Sequence, residues 1–320
     1  MYDLSRRDAL KLAGVALGGL ATGCSVVSSN RMQPRGDRMT QEKTFDAGPV
    51  KINYLDYGVA SGDSLVMLHG GAWSWKEFVS LIPPLASTRR IFALDGRGNG
   101  ASGWVPTRYR LRDFADDASS FVSRLDSRSV LLGHSIGGVT ALMTAARCPQ
   151  KVKALIIEDV PLTLDRYREF VDSSRDMFTT WLELKKTARS EEELGLLLAA
   201  KYSDAGVTSG WILFFAECLW RLDPTYFNAL LNDFDDFVAG YDYRAILSTV
   251  NCPVLFIRGE KSLGAVMTDD EVAIIRSRFG PSSCVEIQGV GHLLHLQEQG
   301  QAPVLHAISE FLRSGVPPVS

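Results

Sequence analysis

Six short runs dominated by apolar residues recur along the chain: Ser64–Leu68, Arg90–Leu94, Ser129–Leu132, Ala154–Ile157, Val254–Ile257 and Cys284–Ile287. Runs of this length with almost no polar interruption read as strands buried on both faces. Stretches of helical period separate them, at about 110–127, 137–148, 269–279 and 301–314. Strands that alternate with helices imply a mostly parallel sheet covered on both sides, an α/β fold. Val50–Leu55 alternates apolar and polar residues and predicts an antiparallel edge strand.

The alternation stops between Pro161 and about Val250. That stretch is helical in period and rich in aromatic residues, among them Phe170, Phe178, Trp181, Trp211, Phe215 and Phe227. It predicts an inserted helical cap at about 162–248. Most of its aromatics serve the cap's own core, and a few line a pocket where cap and sheet meet.

Gly133-His134-Ser135-Ile136-Gly137-Gly138 stands between an apolar strand and a helix. A serine in that place sits on a sharp turn, and flanking glycines remove side chains that would clash there. The helix that follows points its free N–H groups at the same spot. Leu68-His69-Gly70-Gly71-Ala72-Trp73 follows another strand, and its glycine-rich backbone offers a second N–H. Gly71 and Ile136 are the expected oxyanion donors, with Ala72 in place of Gly71 if the turn is offset by one. His69 is expected to hold its loop through hydrogen bonds. Gln288-Gly289-Val290-Gly291-His292 ends the last strand, and a histidine on such a loop reaches back to a serine hydroxyl as its base.

Composition narrows this picture only slightly. The 320 residues are 46% apolar and 22% charged with a formal net charge of −3, and the pI is near 6.0. No basic face or stripe suggests nucleic acid. Ser5-Arg6-Arg7-Asp8 before the short apolar run Leu12–Gly23 has the layout of a signal segment. The run falls short of the roughly 20 residues that span a bilayer. The segment resembles a bacterial twin-arginine leader. Ala21-Thr22-Gly23-Cys24 resembles a lipoprotein processing site, except that Ala21 stands where leucine is usual. The expectation is an exported protein, periplasmic or anchored on the outer side of a bacterial inner membrane through lipid at Cys24. The plainer alternative is a cleaved leader with an incidental cysteine. Residues 25–43 read as a polar tether before a domain at 44–320. Cys148, Cys218, Cys252 and Cys284 lack the spacing of a zinc site or a dense disulfide framework. His292 and His295 lie close in sequence without accompanying carboxylates or cysteines, so no metal is expected. Gly96-Arg97-Gly98-Asn99-Gly100-Ala101 loosely matches a dinucleotide fingerprint. The loop residues Ser102–Pro106 follow it where that fingerprint needs a helix, so no cofactor is expected.

From about Asp46 to about Phe311 these features resemble the α/β-hydrolase superfamily, in its capped, esterase-like branch. The resemblance rests on the His69-Gly70-Gly71 loop, the Asp95–Ser102 segment, the Ser135 elbow and the Gly291-His292 ending. It implies an eight-stranded, mostly parallel sheet, an active site at the strands' carboxyl ends and the chain order serine, acid, histidine. The acid departs from the pattern. Many relatives carry an aspartate three residues beyond a glycine after the strand at 254–257, and Ser262 occupies that place here. Asp159 or its neighbour Glu158, Asp269 or Asp270, and Glu260 are the remaining carboxylates within reach. The expected reaction is hydrolysis of an ester, thioester or lactone of a largely apolar small molecule through an acyl-enzyme on Ser135. Carbon–carbon bond hydrolysis or perhydrolysis on the same residues, or a non-catalytic ligand-binding lipoprotein, are the alternatives. Haloalkane dehalogenases and epoxide hydrolases of this fold attack with aspartate, which Ser135 replaces.

Overall fold

The computed structural model describes residues 39–59, 63–203 and 209–315. The signal segment, with Cys24, lies outside the described residues. Eight strands form one sheet: β1 (Met39–Asp46), β2 (Lys51–Gly58), β3 (Ser64–Leu68), β4 (Arg90–Leu94), β5 (Ser129–His134), β6 (Val152–Glu158), β7 (Val254–Arg258) and β8 (Cys284–Glu286). Their order across the sheet is β1-β2-β4-β3-β5-β6-β7-β8. The β1–β2 and β2–β4 pairs are antiparallel and all others parallel. Two expectations are corrected. The strand at Val50–Leu55 is antiparallel but lies one place in from the edge. The edge is β1, which starts at Met39 inside the stretch expected to be tether.

Two-residue periodicity divides the strand residues between two cores. Val66, Leu68, Leu131 and Phe256 face α1 (Leu111–Ser123), α2 (Ile136–Arg147) and the cap. Leu65, Met67, Leu132 and Leu255 face the opposite layer, which includes Phe78, Ile82 and the C-terminal helix. Central strands β3 and β5 are buried at every position, which explains their unbroken apolar runs.

The cap leaves β6 and returns before β7. It consists of α3 (Leu164–Thr187), α4 (Glu191–Lys201), α5 (Ser209–Arg221), α6 (Thr225–Asn232), a turn at Phe234–Phe237 and α7 (Tyr243–Thr249). The Tyr241 hydroxyl donates to the Leu162 carbonyl at 2.7 Å and closes the two ends of the insertion on each other. Beyond β7 come α8 (Asp269–Phe279) and, after β8, α9 (Glu298–Ser314).

Parallel register places the functional loops side by side. Leu68 of β3 pairs with Gly133 of β5, and His134 pairs with Glu158 of β6. The residues that follow, His69, Ser135 and Asp159, therefore emerge together at the carboxyl end of the sheet. In open α/β sheets this is where crevices form.

Candidate active site

Ser135 lies between β5 and α2 with φ +53° and ψ −123°, a conformation that non-glycine residues rarely adopt. Strain of this kind costs roughly 1–3 kcal/mol and persists only where the surroundings over-determine it. Here its N–H donates to the Glu158 carbonyl at 2.9 Å, which locks the turn against β6. The turn also needs its glycines. A Cβ on Gly133 would stand 2.2 Å from the Gly137 carbonyl oxygen, and one on Gly137 would stand 2.0 Å from that of Leu68.

The His292 ring bridges two groups. Its Nε2 lies 3.1 Å from Ser135 Oγ and its Nδ1 lies 2.7 Å from Asp159 Oδ2. A carboxylate only accepts, so Nδ1 carries the proton and Nε2 presents its lone pair to the serine hydroxyl. Asp159 is fully buried, and its carboxylate also accepts from the N–H groups of Val266 and Met267, at 2.8 and 3.1 Å. Its own φ is +42°, a second strained residue at the same sheet end. The loop after β7, which in the family's usual pattern carries the acid, here folds over β6 and supplies the two N–H groups that hold Asp159.

The other carboxylates are elsewhere. Glu158 points to the opposite side of its strand, where both oxygens sit 2.8 Å from His295 Nδ1. Asp269 is exposed at the start of α8 and pairs with Arg258 at 2.7 Å. Asp270 is exposed on the first turn of the same helix. Glu260 accepts from the Ser262 hydroxyl and from the Gly289 N–H. The structure thus brings Asp159 to His292 and leaves Glu158, Asp269, Asp270 and Glu260 apart from it.

Gly71, Ser135, Ile136 and His292 share the wall of one cavity of about 480 Å³. Among the described residues, neither the Gly71 nor the Ile136 N–H is used in a protein hydrogen bond. Ala72 does not line this cavity. His69 donates from Nδ1 to the Gly70 carbonyl at 2.6 Å and accepts the Gly96 N–H at Nε2, at 2.8 Å. It holds the loop, as expected. Aromatic residues make up much of the rest of the wall, among them Trp73 of the core and Phe170, Phe178, Trp181, Trp211 and Phe227 of the cap. Ser173, Ser174, Asp176, Thr179, Thr180 and Lys201 add polar groups. Phe170 packs on the His292 ring at 5.7 Å between centroids. The Gly96–Ala101 glycines form tight turns around the buried Asp95 carboxylate, with no helix starting there.

Sequence reasoning missed a buried ion pair directly beneath the serine turn. His134 Nδ1 lies 2.5 Å from Glu77 Oε1, and its Nε2 lies 3.0 Å from the His292 carbonyl oxygen. Both ring nitrogens face acceptors, so only the doubly protonated ring satisfies them. Burial opposes charge on this ring, but the facing Glu77 carboxylate overrides it and raises the His134 pKa to about 9. The same pairing outweighs burial at Glu77 and brings it down to about 2. Glu77 Oε2 also accepts the Gly70 N–H at 2.8 Å. One carboxylate and one imidazolium thereby tie together the glycine loop, the serine turn and the His292 loop. A histidine at the buried end of a strand was the available signal, since such a ring needs a partner.

The strand order, the strained serine between strand and helix, and the hydrogen-bonded serine, histidine and aspartate define an α/β-hydrolase. A family model described as the alpha/beta hydrolase fold matches residues 63–299, and the chain belongs to that family. It is similar to the sn-1-specific diacylglycerol lipase ABHD11 of Danio rerio, at 25% identity over 288 residues, 87% of this chain and 86% of that one. The solved structure of E-2-(acetamidomethylene)succinate hydrolase aligns with a TM-score of 0.67 at 20% identity, over 86% of this chain and 100% of that one. A thermophilic esterase from Thermogutta terrifontis aligns with a TM-score of 0.63 at 20% identity, over 86% and 98%. At these identities the structural matches speak for the fold alone.

Proposed function

We propose that this protein is a serine hydrolase that cleaves an ester, thioester or lactone of a largely apolar small molecule. The observation that carries the reading is the chain of hydrogen bonds from Ser135 through His292 to Asp159. Ser135 Oγ attacks the acyl carbon as His292 Nε2 takes its proton, and the buried Asp159 carboxylate stabilises the imidazolium that forms. The Gly71 and Ile136 N–H groups receive the oxyanion. Collapse expels the alcohol or thiol, which takes the proton from His292, and water then releases the acyl group by the same steps. A cavity of about 480 Å³ with an aromatic wall suits an apolar acyl chain or ring.

The test is covalent labelling with a fluorophosphonate, read by intact mass and peptide mapping, beside hydrolysis of p-nitrophenyl esters of increasing acyl length. One adduct on Ser135 together with ester turnover supports the proposal. An adduct without turnover of any acyl ester points to carbon–carbon cleavage or perhydrolysis. No adduct and no turnover makes the protein a binding protein.

The pH profile is a further expected result. Burial disfavours the His292 cation, and the positive His134 ring 4.8 Å away adds to this, while Asp159 pulls the other way. The balance holds His292 below its ordinary 6.5. The base must be neutral, so the acid limb of the kcat/KM profile is centred below pH 6.5. An acid limb centred at or above pH 7 contradicts this.

A further inference from the structure

The Tyr226 side chain is buried and lines the cavity beside Gly71, and its hydroxyl makes no hydrogen bond to any described residue. The side chain is 2% exposed, in the first turn of cap helix α6. Its oxygen stands 2.8 Å from where a Cβ on Gly71 would be. Gly71, Ser135 and Ile136 line the same cavity as Tyr226.

This placement is rigid. Asp223, just before α6, accepts the Tyr109 hydroxyl at 2.5 Å and the Thr225 N–H and hydroxyl at 2.8 Å each. The Asp223 N–H donates to the Gly98 carbonyl at 2.8 Å, which fastens the start of α6 to the sheet domain. The Tyr226 ring packs edge-on against Tyr109, Phe114 and Phe227, at 5.7, 6.0 and 5.5 Å. Phenylalanine would fill this aromatic slot equally well, so what tyrosine adds is a hydrogen-bonding group open to the cavity. With its protein neighbours making no claim on it, the hydroxyl is placed beside Gly71 to bond to a ligand in the cavity. Burial keeps the phenol protonated, so it acts as a donor. The group arriving beside Gly71 in the proposed reaction is the acyl oxygen, which gains negative charge as Ser135 adds.

We propose that the Tyr226 hydroxyl is a third oxyanion donor, supplied by the cap and joining the Gly71 and Ile136 N–H groups. The inference rests on the serine-hydrolase reading above. Ser135 Oγ forms the bond to the acyl carbon, the carbonyl π pair moves onto the oxygen, and Tyr226 O–H bonds to that oxygen while keeping its proton. Cap position and oxyanion stabilisation are thereby coupled, since any shift of α6 moves the donor.

The experiment compares Tyr226→Phe with the parent full-length protein by steady-state ester hydrolysis, by inhibition with a trifluoromethyl ketone and by thermal denaturation. The ketone forms a tetrahedral adduct with an oxyanion. The expected result is a kcat lower by about 10- to 100-fold with KM nearly unchanged. Ketone affinity falls by a similar factor, and the melting temperature stays equal to the parent's or rises, because the protein loses no internal hydrogen bond. Unchanged kcat and ketone affinity overturn the proposal, as does a loss confined to KM, which would mark a ground-state contact. Fluorophosphonate labelling of Ser135 in both proteins separates these outcomes from a failure of the serine-hydrolase reading, in which neither protein labels.

Discussion

Replacing Asp159 with alanine lowers kcat for an activated ester by about 10⁴-fold, while alanine at Asp269 or Asp270 leaves it within about threefold of the parent. The difference follows from what each carboxylate touches. Asp159 holds the His292 Nδ1 proton at 2.7 Å from a fully buried position, where no water replaces it. Without it His292 is free to rotate or to adopt the tautomer that puts a proton on Nε2, and the imidazolium formed during attack has no counter-charge. Asparagine at 159 separates charge from shape. Its amide oxygen still accepts from Nδ1 only if its NH2 group faces the Met267 N–H, donor against donor, and the reverse orientation presents NH2 to His292. Either way the variant is impaired. Asp269 is bound to Arg258 on the surface, and Asp270 is exposed. Steady-state kinetics on the purified variants, each checked for folding by circular dichroism, decide the matter. An Asp159→Ala enzyme within tenfold of the parent would remove Asp159 from the proposed mechanism.

The contrast between Ser135 and Asp159 shows which parts of the site a linear sequence carries. The serine turn is a contiguous device: strand, glycine, serine, glycine and helix follow one another, and each glycine answers a backbone approach within the same few residues. The parallel sheet was legible for a similar reason, because β3 and β5 are buried at every position and must be written in apolar residues. The acid is different. Asp159 reaches His292 because β6 pairs with β7 in one register and because the loop at 259–268 folds over it, and neither fact is local to residue 159. The sequence narrowed the choice by showing Ser262 where relatives carry the acid, but only the fold turns Asp159 toward His292 and Glu158 away. Strand β1 escaped notice because an edge strand is held mainly by backbone bonds. Of its described side chains Glu42, Thr44 and Asp46 are exposed, so no hydrophobic pattern marks it. Glu77 escaped for the opposite reason. It is a charged residue in a short turn between Trp75 and Phe78, where composition predicts solvent, and its burial is decided by a ring 57 residues away.

Removing that carboxylate is expected to cost more stability than any other single change at the site. Glu77→Ala leaves the His134 ring buried and unpaired, and it strands the Gly70 N–H as well. Breaking one side of a buried pair typically costs about 3–5 kcal/mol, which for a chain of this size lowers the melting temperature by roughly 5–8 °C. The loss is not confined to folding. Gly70 precedes Gly71, so below the melting temperature kcat falls too as the loop loosens, whereas a purely structural pair would leave it unchanged. The deficit depends on pH in a fixed direction. Glu77 is lowered from 4.5 to about 2, so its contribution is complete above 4.5 and lost as pH falls through 2. His134 is raised from 6.5 to about 9, so its contribution is complete below 6.5 and lost as pH rises through 9. The gap between parent and Glu77→Ala is therefore widest between pH 4.5 and 6.5 and narrows toward and beyond pH 9. A double-mutant cycle with His134→Ala adds a second check. The first removal already strands the partner, so the double variant is destabilised by less than the sum of the two single ones. Differential scanning calorimetry across that pH range reads both effects. A melting temperature within about 2 °C of the parent at pH 6 would mean that the pair contributes little, because a charge left bare in this core would cost more than that.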